Sequence, residues 1–264
     1  MNLFLSLNDK FFTKLDPINL VDFIKENDKD NLVKGLELNI KYDMDKKYFA
    51  DLINYSNQRG FFINLHSPNY TNIEQYKKYL KFAKDISIVQ NRKINITIHP
   101  CDSTSIELSK IKSEEMINLI MSYIYENNLE KYFDISLENL NSVEGYYRLT
   151  KPDVLNLLNI NNNIKFTYDI GHEFADGANK VKIPKIIYNR ISNIHIHTYN
   201  DKKDHLPITN YNDCKFVKET LLSLLKKGYN KAIVLEYAIE YMNGNSFEEK
   251  FKAYINSFKI INNI

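Results

Sequence analysis

Residues 94–100 read Ile-Asn-Ile-Thr-Ile-His-Pro, and the alternation in that run decides the architecture. Strand side chains point to opposite faces in turn, so Ile94, Ile96 and Ile98 share one face and Asn95, Thr97 and His99 the other. Pro100 brings no N–H to a ladder, which ends the strand just past its histidine. A strand of this kind asks for helices on its apolar side and a polar, chemistry-bearing interior on the other.

The same unit recurs along the chain. Ile135 and Leu137 oppose Ser136 and Glu138; Phe166 and Tyr168 oppose Thr167 and Asp169; Ile194 and Ile196 oppose His195 and His197; Ile233 and Leu235 oppose Val234 and Glu236. Strands are predicted at 2–7, 35–41, 61–66, 94–99, 133–138, 164–169, 191–197 and 232–237. Helical periodicity fills the intervals, as in Met116, Leu119, Ile120 and Tyr123, in Val217, Leu221, Leu224 and Leu225, and in Phe247, Phe251, Tyr254 and Phe258. Ser246 followed by Glu249 is a capping box for the last helix. The connection 141–163 is the least regular, because Pro152 interrupts it.

Eight strands each followed by a helix, in 264 residues, is the count of an α/β fold of the (β/α)8 or TIM-barrel type, expected here as a single domain spanning 1–264. The rival, a doubly wound open sheet, would place a glycine-rich phosphate turn after its first strand. Residues 8–13 read Asn-Asp-Lys-Phe-Phe-Thr, without glycine.

Composition sets the outer limits. With 44% hydrophobic and 26% charged residues the chain can build a large core, and neither a disordered nor a disulfide-stapled class fits. A net charge of +2 gives no polyanion-binding character. Cys101 and Cys214 form no CxxC pattern, residues 1–8 are too short and uncharged for a signal peptide, and no run reaches the ~18 apolar residues of a membrane span, so a cytoplasmic protein without membrane contact is expected.

Histidine is scarce, and its placement carries the chemistry. The six stand at 66, 99, 172, 195, 197 and 205, each at the C-terminal end of a predicted strand or in the loop beyond it. That end of a barrel is where active sites are built. His66, His99, Glu138, Asp169, His195 and Glu236 converge there from six successive strands, with His172, Asp204 and His205 in the loops just after. Such a concentration of histidine and carboxylate is tolerated in an interior when it is paired or coordinates a metal. Nitrogen and oxygen ligands without sulfur suit Zn, Mn, Co or Fe, one to three ions.

The runs INLHSPNY (63–70), ITIHPC (96–101), ISLENL (135–140), FTYDIGHEFADG (166–177), ISNIHIHTYNDKKDHLPI (191–208) and IVLEY (233–237) resemble the xylose-isomerase-like barrel superfamily. It includes sugar and sugar-phosphate isomerases and epimerases, and the endonuclease IV-type apurinic endonucleases of AP endonuclease family 2. In the endonuclease pattern the resemblance implies that His66, His99 and Glu138 hold a first metal, that Glu138, Asp169, His195 and Glu236 hold a second, and that His172 and His205 ligate a third. That branch completes its third site with Asp-x-His where this chain reads Lys203-Asp204-His205, so Asp204 or Asp201 takes the remaining position. The epimerase pattern implies one ion on Glu138, Asp169, His195 and Glu236, with the two glutamates as proton-transfer groups and His172 on a substrate hydroxyl. His197 is then a substrate-facing residue rather than a metal ligand, and Lys202 and Lys203 stand ready for a phosphate.

Three functions follow: a metal-dependent isomerase or epimerase of a small sugar or sugar phosphate, a phosphodiester hydrolase at abasic DNA sites, and a barrel that binds a metal or polyol without turnover. A DNA substrate needs many cationic phosphate contacts, and none of the four arginines (59, 92, 148, 190) falls in these mouth segments. No clear apolar wedge stands beside His66 for prising out an abasic nucleotide, Tyr70 being the only candidate. Both points favour the sugar enzyme over a nucleic-acid partner. Oligomeric state is not legible.

Overall fold

The computed structural model describes residues 2–8, 17–43, 46–179, 183–200, 203–209, 215–242 and 246–262. Eight parallel strands close into a barrel: β1 (Asn2–Asn8), β2 (Val33–Asn39), β3 (Phe62–His66), β4 (Ile94–Ile98), β5 (Phe133–Glu138), β6 (Lys165–Asp169), β7 (Ile191–Ile196) and β10 (Ala232–Leu235). β8 (Thr198–Asn200) and β9 (Lys203–Leu206) form a separate antiparallel hairpin. The helices are α1 (Pro17–Asn27), α2 (Lys46–Gln58), α3 (Ile73–Gln90), α4 (Ile106–Glu126), α5 (Lys151–Ile160), α6 (Ile170–Ala175), α7 (Lys215–Lys226) and α8 (Phe247–Asn262). None of the described helices is long and apolar enough to cross a membrane.

Both faces of the strands behave as their alternation requires. Ile94, Ile96, Ile135, Leu137, Phe166, Tyr168, Ile194 and Ile196 are buried in the main apolar core with the helices. The opposite face carries a hydrogen-bonded layer across the barrel axis. Asn95 Nδ2 donates to Ser136 Oγ (2.9 Å), Ser136 and Thr167 share a hydroxyl hydrogen bond (2.6 Å), and so do Thr167 and Thr97 (3.0 Å). Asn193 Nδ2 reaches Thr97 Oγ1 (3.2 Å) and Glu37 Oε2 (2.5 Å). Buried polar groups are tolerated when satisfied in this way, and the network ties five strands together in register. Phe4, Ala232 and Val234 form a separate apolar cluster. Gly35 makes room for Phe4, since a Cβ there would lie 2.3 Å from the ring.

Several boundaries differ from expectation, each for a local reason. β2 starts at Val33 because the Asp28 carboxylate accepts the N–H groups of Leu32 (2.9 Å) and Val33 (2.7 Å). Pro152 opens α5 instead of interrupting it: it sits in the first turn, where a missing N–H is harmless, behind the Thr150–Asp153 cap. On α4 the buried face is Ile117, Ile120, Met121 and Ile124, whereas Leu119 is half exposed, so the apolar stripe is turned from the one read by periodicity. Ser246 and Glu249 exchange their capping hydrogen bonds, both at 3.1 Å. Between β6 and β7 the described residues form α6 and a 3-10 turn, Lys185–Arg190. Arg190 fastens that turn by donating to the carbonyls of Leu158, Asn161 and Ile164. Cys101 is a half-buried free thiol, and Cys214 lies outside the described residues.

Candidate metal centre

Strand ends deliver the site. His66, Glu138 and Asp169 are the last residues of β3, β5 and β6, and His195 lies inside β7. His99 and Glu236 stand one residue beyond β4 and β10, and the Glu236 N–H still donates to Ile196 O (3.2 Å), which keeps it in line with β7. Asp169 also starts α6: its Oδ1 accepts the His172 N–H at 2.7 Å, and that turn brings the His172 ring back over the mouth. The β8–β9 hairpin returns Asp204 and His205. His205 adopts a left-handed φ of 55°, uncommon for a residue with a Cβ though histidine is among those enriched there, and its carbonyl is held by the Ala238 N–H at 3.0 Å.

All six histidines meet there. Neighbouring ring centroids lie between 4.2 Å (His197–His205) and 5.6 Å (His66–His195) apart. Two groups of potential ligands can be drawn, each with its donor atoms within 4.8 Å of one another: His66, Glu138, His195 and Glu236, and Asp169, His172, His197 and His205. In the first, His66 Nε2 is 3.1 Å from Glu138 Oε2, and His195 Nδ1 is 3.1 Å from Glu138 Oε1 and 2.7 Å from Glu236 Oε2. His99 Nε2 joins at 3.2 Å from Glu138 Oε2. In the second, His197 Nε2 is 3.1 Å from Asp169 Oδ1. Asp204 closes that group, 3.2 Å from His197 and 3.6 Å from both His172 and His205. Asp169 links the groups, its Oδ2 lying 3.4 Å from His172 Nδ1 and 3.8 Å from His195 Nδ1.

The electrostatics follow from burial opposed by pairing. Burial works against a charge on Glu138, yet His195 and His99 hold it well below the usual carboxylate range. Asp169 is lowered against its burial by His172 and His197, and Glu236 against its burial by His195. Burial likewise opposes charging of His66 and His197, but their carboxylate neighbours raise both to about 9. His195 is also raised, against its burial, chiefly by Glu236 and Glu37. His205 goes the other way, held near 4 by burial and by the adjacent His197. Each of these three carboxylates is thus paired with histidines whose protons a cation can replace.

Divalent ions fit this donor set. Asp169 Oδ2, Glu236 Oε2 and His197 Nε2 are buried without an aligned hydrogen-bond partner. The ligands are nitrogen and oxygen, as Zn, Mn, Co and Fe accept.

Sequence reasoning missed two residues. Glu37 on β2 is fully buried, with Oε1 2.8 Å from His195 Nε2. A carboxylate on the far nitrogen of a ligating histidine fixes its tautomer and strengthens its partner nitrogen as a ligand. Its signal was the inward phase of Leu36-Glu37-Leu38, the same alternation as in the other strands. Arg148, on the β5–α5 loop, lines the mouth cavity of about 300 Å³ together with His66, His99, His172, His205 and Glu236. The mouth therefore does carry an arginine, from a segment whose periodicity Pro152 obscured.

Other expected residues are placed less centrally. His197 is fully buried within the second group, packed so closely on Gly171 that a Cβ there would lie 2.4 Å from its ring. Lys203 is exposed, its ammonium 4.8 Å from the Tyr241 ring centroid, and Lys202 and Asp201 lie outside the described residues. Tyr70, the candidate wedge, is buried against Tyr76 and Tyr79.

A TIM barrel with a histidine–carboxylate centre at the C-terminal mouth is the class these features define. No protein-family model matches the chain, and no curated protein does. Solved structures do. A D-tagatose 3-epimerase-like protein superposes with a TM-score of 0.67 at 18% identity, over 100% of this chain and 99% of its own. An AP endonuclease, family 2, from Brucella melitensis gives 0.65 at 16% identity, over 97% and 98%. A xylose isomerase domain protein from Alicyclobacillus acidocaldarius subsp. acidocaldarius gives 0.65 at 12% identity, over 98% of each chain. At these identities the likeness is one of fold: a TIM barrel matched over 97–100% of this chain.

Proposed function

We propose that this chain is a divalent-metal-dependent isomerase or epimerase of a small sugar or sugar phosphate, working as a single barrel domain. The placement of the two glutamates carries the reading. Glu236 lines the mouth cavity with its side chain 14% exposed, whereas Glu138 is fully buried among His66, His99 and His195. One carboxylate is therefore open to a substrate, while the other is fixed in place at the same ligand group. Glu138, Asp169, His195 and Glu236 would hold the ion, which supplies the Lewis acidity that weakens a C–H bond between a carbonyl and a hydroxyl. Glu236 takes the proton from that carbon, needing only hydrogen-bond reach in the bound state. Glu138 is the second carboxylate, which would return a proton to the opposite face of the same carbon, while Glu236 gives up the proton it took to solvent through the mouth cavity. His172, also on the cavity wall, orients a substrate hydroxyl. The cavity of about 300 Å³ suits a monosaccharide-sized ligand.

A second reading, hydrolysis of a phosphodiester at an abasic site, is favoured by one observation. The group of Asp169, His172, His197 and His205 offers a further ion a place beside the first. Against it stand the buried Tyr70 and, among the described residues lining the mouth cavity, a single lysine or arginine, Arg148. Elemental analysis of the purified protein separates the readings. One ion per chain with turnover of a ketose supports the epimerase. Two or three ions with nicking of an abasic duplex overturns it. Glu138→Gln and Glu236→Gln should each abolish turnover with the far-UV circular dichroism unchanged, and full activity in either would refute the two-carboxylate mechanism.

A further inference from the structure

The four arginines of the chain have very different employment. Arg59 pairs with Asp22 at 2.6 Å on the outer helices. Arg92 lies 3.9 Å from the centroid of Phe62, at the opposite end of the barrel from the histidines. Arg190 spends its guanidinium on three backbone carbonyls. Arg148 alone faces the mouth cavity, and among the described residues no carboxylate lies within 4 Å of it. Its contacts are a long hydrogen bond to Asn141 Oδ1 (3.4 Å) and the Tyr146 ring, 5.4 Å away. The side chain is half-buried, so it is partly desolvated without being neutralised.

An arginine in that state is a ready partner for an oxyanion, because its planar fork gives two parallel N–H donors to a phosphate or carboxylate. The other cavity walls divide the ligand's remaining contacts. Histidines and Glu236 form the metal side, while Asn39 and Asn69 offer neutral hydrogen-bonding groups suited to hydroxyls. Asp102 also lines the cavity; its side chain is exposed, where solvent screens its charge.

We infer that Arg148 is the anion anchor of the mouth cavity, so that the substrate is a small phosphorylated polyol or ketose instead of a neutral sugar. This rests on the proposed sugar-directed function and narrows it. The anchor comes from the β5–α5 loop, so specificity for the charged group is separable from the metal-binding strand ends.

The test uses inorganic phosphate and the matched pair D-fructose 6-phosphate and D-fructose as probes, by calorimetry on the manganese-loaded full chain. Wild-type protein should bind phosphate and prefer the phosphorylated ketose. Arg148→Met should weaken phosphate and the phosphorylated ketose by roughly ten- to a hundred-fold, with binding of the neutral ketose and the metal content per chain unchanged. Arg148→Lys should recover part of the loss through charge alone. No phosphate binding by the wild type, or equal phosphate binding by Arg148→Met, overturns the anchor. If wild-type protein holds no metal, the isomerase reading fails, while a loss of phosphate binding confined to Arg148→Met still supports the anion site.

Discussion

Adding one methyl group at Gly171 tests whether the site is held as rigidly as its geometry requires. A Cβ there would lie 2.4 Å from His197 Cε1 and Nδ1 and 2.5 Å from Cγ. Ordinary contact begins near 3.4 Å, so the ring must retreat by about 1 Å. It has nowhere easy to go. His197 is fully buried, paired with Asp169 at 3.1 Å and Asp204 at 3.2 Å, and stacked on His205 with centroids 4.2 Å apart. Overpacking of this kind costs ~1–3 kcal/mol, and the helix-propensity gain of alanine in α6 returns at most ~1 kcal/mol. Gly171→Ala should therefore destabilise the metal-free protein by about 1–2 kcal/mol, a fall in Tm of roughly 2–8 °C. Guanidinium unfolding measures the first number. A cobalt titration followed by visible absorption measures the second consequence: weaker binding at the group of Asp169, His172, His197 and His205, with the group around Glu138 unaffected. A variant as stable as wild type, with both cobalt affinities intact, would show that His197 is not locked and that the second group is not a preformed site.

Stability of the metal-free chain should depend on pH in a particular direction. His66 and His197 are raised to about 9, so their contribution is complete below about 6.5 and is lost as pH climbs through 9. Glu138 and Asp169 are lowered, so theirs is present above the ordinary carboxylate range and lost on acidification. Tm of chelator-treated protein should peak between about pH 5 and 6.5 and fall toward pH 9, and a rising Tm over that interval contradicts the pairing. Glu37→Gln should leave the barrel folded, by circular dichroism, while weakening metal binding by roughly ten- to a hundred-fold, because His195 Nε2 loses its carboxylate at 2.8 Å. Unchanged affinity in a metal-buffered titration rules out that support role.

What could be read from sequence was whatever depends on strand phase. The alternation of Ile94 to His99 and of Ile194 to His197 placed the apolar core, the polar layer and the ends that carry histidine, since a one-residue error would have turned every side chain to the wrong face. Features that depend on loop paths were hidden. Arg148 lies ten residues beyond Glu138, and nothing local in Tyr146-Tyr147-Arg148 shows that the loop folds back over the barrel. The β8–β9 hairpin was invisible because its strands are three and four residues long, too short to show a period. Glu37 was legible in phase but lacked a histidine neighbour in sequence; its partner, His195, comes from the far side of the barrel.

The density of charge at the mouth raises a question of how the chain folds at all before an ion arrives. Glu37, Glu138 and Asp169 are fully buried, and an isolated buried carboxylate is prohibitively costly. Protons on the histidines answer it. His66, His195 and His197 are all raised by the carboxylates they touch, so near neutral pH each carries positive charge where a ligand–metal bond would otherwise supply it. The polar layer of Asn95, Thr97, Ser136, Thr167 and Asn193 then holds the strand ends in register whether or not the cation has changed. Metal binding in such a site is an exchange of protons for a divalent ion within a scaffold already built. Affinity must accordingly rise with pH across the interval in which those histidines give up their protons, the same interval in which the metal-free protein loses stability.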